Sequence, residues 1–283
     1  MVRPYKVKGF KRKKREEVYD EDEELKEEAE DDERETAAAE AGAEGEEEED
    51  KRRAEEAVDE LPGIPIVPTN AHSGAGVIVI LERASLEVAK VGKTYQLLNS
   101  DDHVNFLLKH GKDPKNYRPD IAFQAILTIL DSRLNKAGRL RALYVKTEKG
   151  VLFEIKPYAR LPRTFKRFSG LILQLLQKLT VNASGKREKL LRVVKNPVTR
   201  YLPLNSRKIG LSHSAERMVK IQDYVNNATN NDVNLVFVVG AMAHGKINTE
   251  YTDDFISVSG YPLSAAYCLG MICNALEQKW NIL

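Results

Sequence analysis

Asn234 to Val239, reading NLVFVV, is the stretch that most limits what this chain can build. A short run rich in Val and Phe, with no polar alternation, has no solvent side, so it fits a strand covered on both faces. It ends in Gly240-Ala-Met-Ala-His-Gly245-Lys246, where small residues let another group approach the backbone closely. A second short strand is expected from Phe255 to Ser259, ending at Gly260-Tyr261-Pro262. A helix is expected from Leu263 or Ser264 to Trp280, apolar along one side. Two strand ends, two glycine turns and one helix N-terminus then converge on a pocket made mostly of main chain. Backbone N–H and C=O groups in such a pocket suit the polar edge of an adenosine-type ligand.

Three readings fit the glycine stretch. Its glycines can be plain turns at the edge of an α/β domain. They can form a phosphate-binding loop, since Gly240 to Lys246 fits G-x-x-x-x-G-K after a strand. Ile247 excludes that one. It stands where Ser or Thr would bind magnesium, and only 36 residues follow it. The third reading is the cofactor loop of a methyltransferase, and the loop alone does not choose between it and the first.

The net charge of +2 conceals an asymmetry. Residues 1–15 carry eight Lys/Arg and no acid, whereas residues 16–60 carry 25 acids and five bases. Residues 61–283 hold 31 bases and 17 acids, a net +14. The chain is therefore expected to be a disordered, basic-then-acidic tail over residues 1–60 attached to a basic domain over residues 61–283. The prolines of Leu61-Pro62-Gly63-Ile64-Pro65 mark the boundary. The opening RPYKVKGFKRKKR suits a nuclear-localisation segment or a phosphate-binding arm, and a solvated tail satisfies the same composition. No secretory core and no apolar run of membrane-spanning length is present, so no membrane partner is expected. Cys268 and Cys273 fall five residues apart in one expected helix and point different ways around it, so they are expected to be core thiols of an intracellular protein. With no metal-ligand spacing among the cysteines and scattered histidines, no metal is expected.

From about Gly76 strands and helices alternate, which implies an α/β domain with a largely parallel sheet flanked by helices. Val77 to Leu81 reads as a buried strand. Lys93 to Lys109 includes a helix candidate with Asp101 or Asp102 as cap. After Arg118-Pro119-Asp120-Ile121 the proline and the acid favour a helix start. Leu140 to Lys146 and Val151 to Lys156 read as a hairpin around Glu148-Lys149-Gly150. A helix is expected over Arg163 to Leu179, strands over Lys189 to Val194 and Lys208 to Leu211, and a helix over Ala215 to Asn227.

Arg160, Arg163, Lys166 and Arg167 place four cations in eight positions. Spacings of three and four put Arg163, Lys166 and Arg167 on one face near a helix N-terminus, where cations oppose the macrodipole. A polyanion would offset that penalty, and arginine forks suit phosphate oxygens. A solvated basic face is the plainer alternative. The net +14 of the domain favours RNA.

RPDI, LDSRLNKAG, RLPRTFKRFSGLILQLLQKL, KLLRVVKNPVT, VFVVGAMAHGK, SGYPLSAA and the terminal WNIL together resemble the nucleolar essential protein family. Its members, also called the essential-for-mitotic-growth family, are small-subunit ribosomal RNA pseudouridine N1-methyltransferases of the SPOUT superfamily. The resemblance covers about Ile64 to Leu283. It implies a SPOUT-type α/β fold with a C-terminal trefoil knot, S-adenosylmethionine as cofactor, and a homodimer. It also implies a small-subunit rRNA hairpin as substrate, pre-ribosomal small-subunit proteins as partners, and the nucleus and nucleolus as location. Carried over by motif, the cofactor site comprises Leu211, Gly240, Gly245, Lys246, Ile247, Val258, Ser259, Gly260, Tyr261, Pro262 and Leu263. The RNA side comprises Arg118, Asp120, Arg160, Arg163 and Arg167. This chain departs from the family pattern at Gly260 (often Asn), at Phe123 and at Arg133. Gly260 is expected to be tolerated in a tight turn, and Arg133 to extend the RNA face.

The resemblance also makes Asp120 and Arg118 the catalytic candidates. Methyl transfer from a sulfonium is an in-line displacement, so alignment of donor and acceptor dominates. Pseudouridine offers a free N1–H, which uridine lacks. Arg118 is expected to steady the charge that develops as N1 loses its proton. Asp120 either accepts that proton or only orients Arg118, and an acid at a helix N-terminus also has a purely structural use. An RNA-binding pre-ribosome assembly factor, with methylation secondary, is the alternative function.

Overall fold

The computed structural model describes residues 74–183, 188–227 and 233–283. The expected tail over residues 1–60 and the boundary at Leu61 lie outside the described residues. β1 (Val77–Ala84) is the middle of an eight-stranded sheet. It runs parallel between β9 (Asn234–Gly240) and β4 (Leu140–Thr147). The full order is β10-β8-β9-β1-β4-β5-β7-β6. β10 (Asp254–Ile256) and β8 (Ser206–Leu211) continue the parallel half. β5 (Leu152–Ile155), β7 (Lys189–Val194) and β6 (Thr180–Asn182) form an antiparallel half. The antiparallel half follows from the tight Glu148-Lys149-Gly150 turn, which can only reverse the chain.

Both faces of β1 and β9 are buried, as the unbroken apolar runs require. Val77, Val79 and Leu81 point into one cluster, Ile78 and Ile80 into another. The first cluster takes the apolar sides of α2 (Pro119–Asp131), α4 (Phe165–Lys178), α5 (Ile221–Asn227) and α6 (Ala265–Lys279). Ala122, Ala125, Ile126 and Ile129 of α2 recur at three- and four-residue spacing and are wholly buried. Each such isoleucine stabilises the fold by about 1.5–3 kcal/mol relative to exposure. The second cluster is covered differently: Val198 and Ile247 are buried on it, with Tyr201, Met242, Tyr251 and Phe255 packed at its margin. Among the described residues no α-helix adds a buried side chain to that cluster. The loop after β9 therefore serves as a roof over part of the sheet.

Four local expectations are corrected. The Lys93–Lys109 segment begins as a strand, since β2 (Val88–Val91) and β3 (Thr94–Leu97) form a separate hairpin turning at Gly92, φ 63°. Helix α1 is only Val104–Lys109, and neither Asp101 nor Asp102 caps it. The N–H groups of both aspartates donate to Asn99 Oδ1, at 3.0 and 2.7 Å, which locks them in a turn. The Ala215–Asn227 helix starts only at Ile221. Arg217 to Val219 are held extended beside β10 instead, with Ser257 N–H on the Arg217 carbonyl at 2.8 Å and Val219 N–H on the Ser257 carbonyl at 2.9 Å. Finally, α4 begins at Phe165 after Thr164, so Arg163 precedes the helix and is not on its face.

Candidate functional site

The parallel strands end level with one another. Register pairs Ile256 with Leu211, Leu211 with Val239, and Gly240 with Glu82. In open α/β sheets ligands bind outside such carboxyl ends, where chain segments leave the sheet and expose main-chain donors and acceptors. Gly240 and Ile247 meet directly here, whereas the Leu211 side chain joins the core cluster on the other face of the sheet. Ile247 reaches over both Gly210 and Gly240, and a Cβ on either glycine would lie 3.2–3.3 Å from its side chain. Met242 is nearer still, with its Cε 2.9 Å from the Cβ position of Gly240. The loop thus folds back closely on its own strand, and a Cβ at Gly240 would make the Met242 and Ile247 side chains shift. Leu211 and Ile247 are themselves buried.

Val258 to Leu263 continue from β10 on the same edge. Ser257 donates through its hydroxyl to the Ser259 carbonyl at 2.8 Å, and Ser259 Oγ accepts from Tyr261 N–H at 3.0 Å. Ser264 then caps α6, its Oγ accepting from Tyr267 N–H at 3.2 Å, so the helix starts at Ala265, just past the expected Leu263 or Ser264. Val258, Ser259 and Leu263 are half-buried, while Gly260, Tyr261 and Pro262 are exposed. Gly260 has no positive φ, and a Cβ there would meet only Met218 Sδ at 3.8 Å. This position therefore has room for a side chain, so Gly260 is not required by the turn.

Gly245 and Lys246 lie at the outer tip of the loop. Gly245 holds φ at 119°, and a Cβ would come within 2.5 Å of Arg83 Nη1. Arg83 donates to the Lys246 carbonyl at 3.0 Å. Its neighbour Glu82, 1% exposed, accepts from Tyr251 Oη at 2.7 Å and holds the far side of the loop. Burial, with Glu82 beside it, pushes the Tyr251 hydroxyl far above the ordinary range, so it stays a donor. Neither Glu82 nor Arg83 stands out by motif. The available signal is two adjacent charges ending an otherwise apolar strand, VIVILERA.

Arg118 occupies the N-cap position of α2, beside Ser85, the residue that follows β1. Its N–H donates to Ser85 Oγ at 3.2 Å, and its guanidinium forks onto Asp120 at 2.8 and 2.7 Å. That fork holds the Asp120 carboxyl below the ordinary carboxylate range against the opposing effect of partial burial. A carboxylate so stabilised is a weak proton acceptor, so the geometry favours orientation of Arg118 over general-base catalysis.

The basic cluster is less uniform than its spacing. Arg160 and Arg167 are exposed, whereas Arg163 forks onto Asp131 at the other end of α2, Nη2 to Oδ1 being 3.1 Å. At 1.5 Å per residue, Arg118 and Asp131 are about 20 Å apart along the helix. The structure therefore does not bring Arg118 and Asp120 together with Arg163. Arg133, expected to extend this face, is exposed and also paired. It forks onto Glu277 of α6 at 3.0 and 2.8 Å, and Glu277 also accepts from Leu134 N–H at 2.9 Å. Phe123 packs between Phe165 and Phe168, with ring centroids 5.8 and 4.8 Å away, and fixes the start of α4 on α2. A cavity of about 270 Å³ lined by Arg207, Arg217, Val219 and Tyr224 lies at the flank of β8 and α5, away from these residues.

Fold and site together describe an α/β protein whose parallel strands end level with one another beneath glycine-containing loops, with exposed arginines before and within α4. The chain belongs to the EMG1/NEP1 methyltransferase family, which matches residues 79–277. It is 49% identical over 210 residues to the ribosomal RNA small subunit methyltransferase NEP1 of Mus musculus, covering 74% of this chain and 84% of that one. It is 47% identical over 214 residues to the Homo sapiens protein of the same name, covering 76% and 86%. The fold is shared with the crystal structure of Archaeoglobus fulgidus Nep1 bound to S-adenosylhomocysteine, at 19% identity and a TM-score of 0.54 over 74% of this chain and 99% of that one.

Proposed function

We propose that the protein transfers a methyl group from S-adenosylmethionine to a base of small-subunit ribosomal RNA, and that this base is a pseudouridine methylated at N1. The observation that carries the reading is the family match, because residues 79–277 include the whole carboxyl edge and both arginine groups. The close relatives are named for methylation of small-subunit rRNA, and the structural neighbour binds the demethylated form of the cofactor. In this reading the loops after β8, β9 and β10 hold S-adenosylmethionine through main-chain groups of Leu211, Gly240, Gly245 to Ile247 and Val258 to Leu263. When bound, the cofactor supplies an electrophilic methyl group.

Arg118, held by Asp120 and Ser85, faces charge that develops on the target base. Arg160 and Arg167 contact phosphates, and Arg163 joins them on release from Asp131. A single RNA touching both groups follows α2 over about 20 Å. The target base lies in a loop or is flipped out, since a stacked base cannot reach the cofactor. A homodimer, a knotted C-terminal threading, pre-ribosomal protein partners and a nucleolar location complete the proposal. Calorimetric titration with S-adenosylhomocysteine, followed by mass spectrometry of a treated rRNA hairpin, tests it. Absence of cofactor binding by the folded protein would leave the assembly-factor alternative.

A further inference from the structure

Arg83 holds φ at 56°, a conformation that costs an L side chain and that glycine adopts freely. The side chain gained at that cost does three things at once. Its Nε and Nη2 donate to Glu148 at 2.8 and 2.7 Å, and its Nη1 donates to the Lys246 carbonyl at 3.0 Å. The guanidinium also lies directly beneath Gly245, in space that only a glycine leaves free. Glu148 is fixed in turn, since its N–H donates to the Ala84 carbonyl at 3.0 Å. The ion pair itself is 37% and 51% exposed, and pairs that wet add little to fold stability. A strained residue, kept for a pair of small stabilising value and ending on a loop carbonyl, points to geometry held for a ligand.

We propose that Arg83, anchored by Glu148, is a positioning residue that sets the Gly245–Lys246 turn in its cofactor-binding shape. The hairpin turn between β4 and β5 thereby supports a loop that follows β9, 97 residues later in the chain for Gly245 than for Glu148. Arg83 touches neither the reacting methyl group nor the base; it acts through the Lys246 carbonyl. The inference rests on the reading that this loop holds S-adenosylmethionine.

Arg83→Gly separates positioning from folding, because it removes the clasp while relieving the backbone. The melting temperature is expected to stay within about 3 °C of the parent, the relieved φ offsetting the lost pair. Affinity for S-adenosylhomocysteine at 25 °C is expected to fall about tenfold, a loss of about 1.4 kcal/mol. KM for S-adenosylmethionine should rise by the same factor while kcat at saturating cofactor holds. Glu148→Gln should weaken affinity in the same direction. Arg83→Lys should not restore it, since a lysine cannot fork between two acceptors. Parental affinity in both Arg83→Gly and Glu148→Gln overturns the inference, as does a lowered melting temperature with affinity intact. A fall in kcat with KM unchanged overturns it too. If the parent protein binds the cofactor, Gly245→Val loses it and Arg83→Gly does not, only the positioning role fails. If the parent binds none, the underlying reading fails with it.

Discussion

The carboxyl edge and the basic face are built on opposite principles. At the edge, Leu211, Gly240 and Ile247 are placed by packing: the side chains of Leu211 and Ile247 are buried, and Gly240 has none. On the basic face, Arg160 and Arg167 are exposed. A substitution at Leu211 or Ile247 therefore puts the fold at risk, whereas one at Arg160 is expected to leave it intact. Arg118 and Asp120 fall between the two, since Arg118 is anchored by main chain at Ser85 and by a two-point fork at Asp120.

The largest effect should come from Gly245→Val. A β-branched residue at φ 119°, with Arg83 Nη1 2.5 Å from its Cβ position, cannot keep this turn. Cofactor affinity should fall below detection by calorimetry, while the strain of roughly 1–3 kcal/mol leaves the protein folded. Undiminished affinity would remove the loop from the edge site and erase the contrast. Next in size is Arg118→Ala, which should lower the single-turnover rate at saturating RNA about 100-fold, as for loss of one preorganised charge-stabilising donor. Were that variant instead to lose only melting temperature, the Arg118–Asp120 fork would be structural.

Smaller losses are expected on the face. Arg160→Ala and Arg167→Ala should weaken target and non-target hairpins alike, and each should flatten the salt dependence by about 0.7–0.9 in slope. Arg163→Ala should do less, because Asp131 already engages it, and Asp131→Ala should strengthen RNA binding. Equal effects at all three arginines would show that the Asp131 pair opens at no cost. The smallest effect is one of pH. Asp120 has a folded pKa below its unfolded value, so its contribution to stability is present above about pH 4 and is lost as pH falls through the lowered value. The Arg118 contribution to the rate should accordingly show no inflection from Asp120 between pH 6 and 8. An inflection there that Asp120→Asn removes would restore Asp120 as a base.

Elements fixed by local chemistry were legible in the chain. Pro119 and Ser264 open α2 and α6, and the Glu148-Lys149-Gly150 turn makes its hairpin, because proline, a serine cap and a glycine turn act within a few residues. Distant contacts were not legible. Arg217 to Val219 read as helix yet run extended, since β10 offers them partners that no local pattern reveals. Arg163 fits a helix face by spacing, but its pairing with Asp131 depends on how α4 meets α2. Arg133 pairs with Glu277, 144 residues away, a contact that no local pattern reveals. At the edge, the glycines were visible as turns, whereas Glu82 and Arg83, which hold the loop from β1, act across more than 160 residues.

Methyl transfer to one rRNA hairpin prepared in two forms, with pseudouridine or uridine at the same position, tests the central claim most directly. Labelled S-adenosylmethionine, the parent protein and the Gly245→Val variant complete the measurement. The parent is expected to label only the pseudouridine hairpin, at N1, and the variant to label neither at the same cofactor concentration. Equal labelling of the uridine hairpin, or labelling by Gly245→Val at the parental rate, would contradict the account.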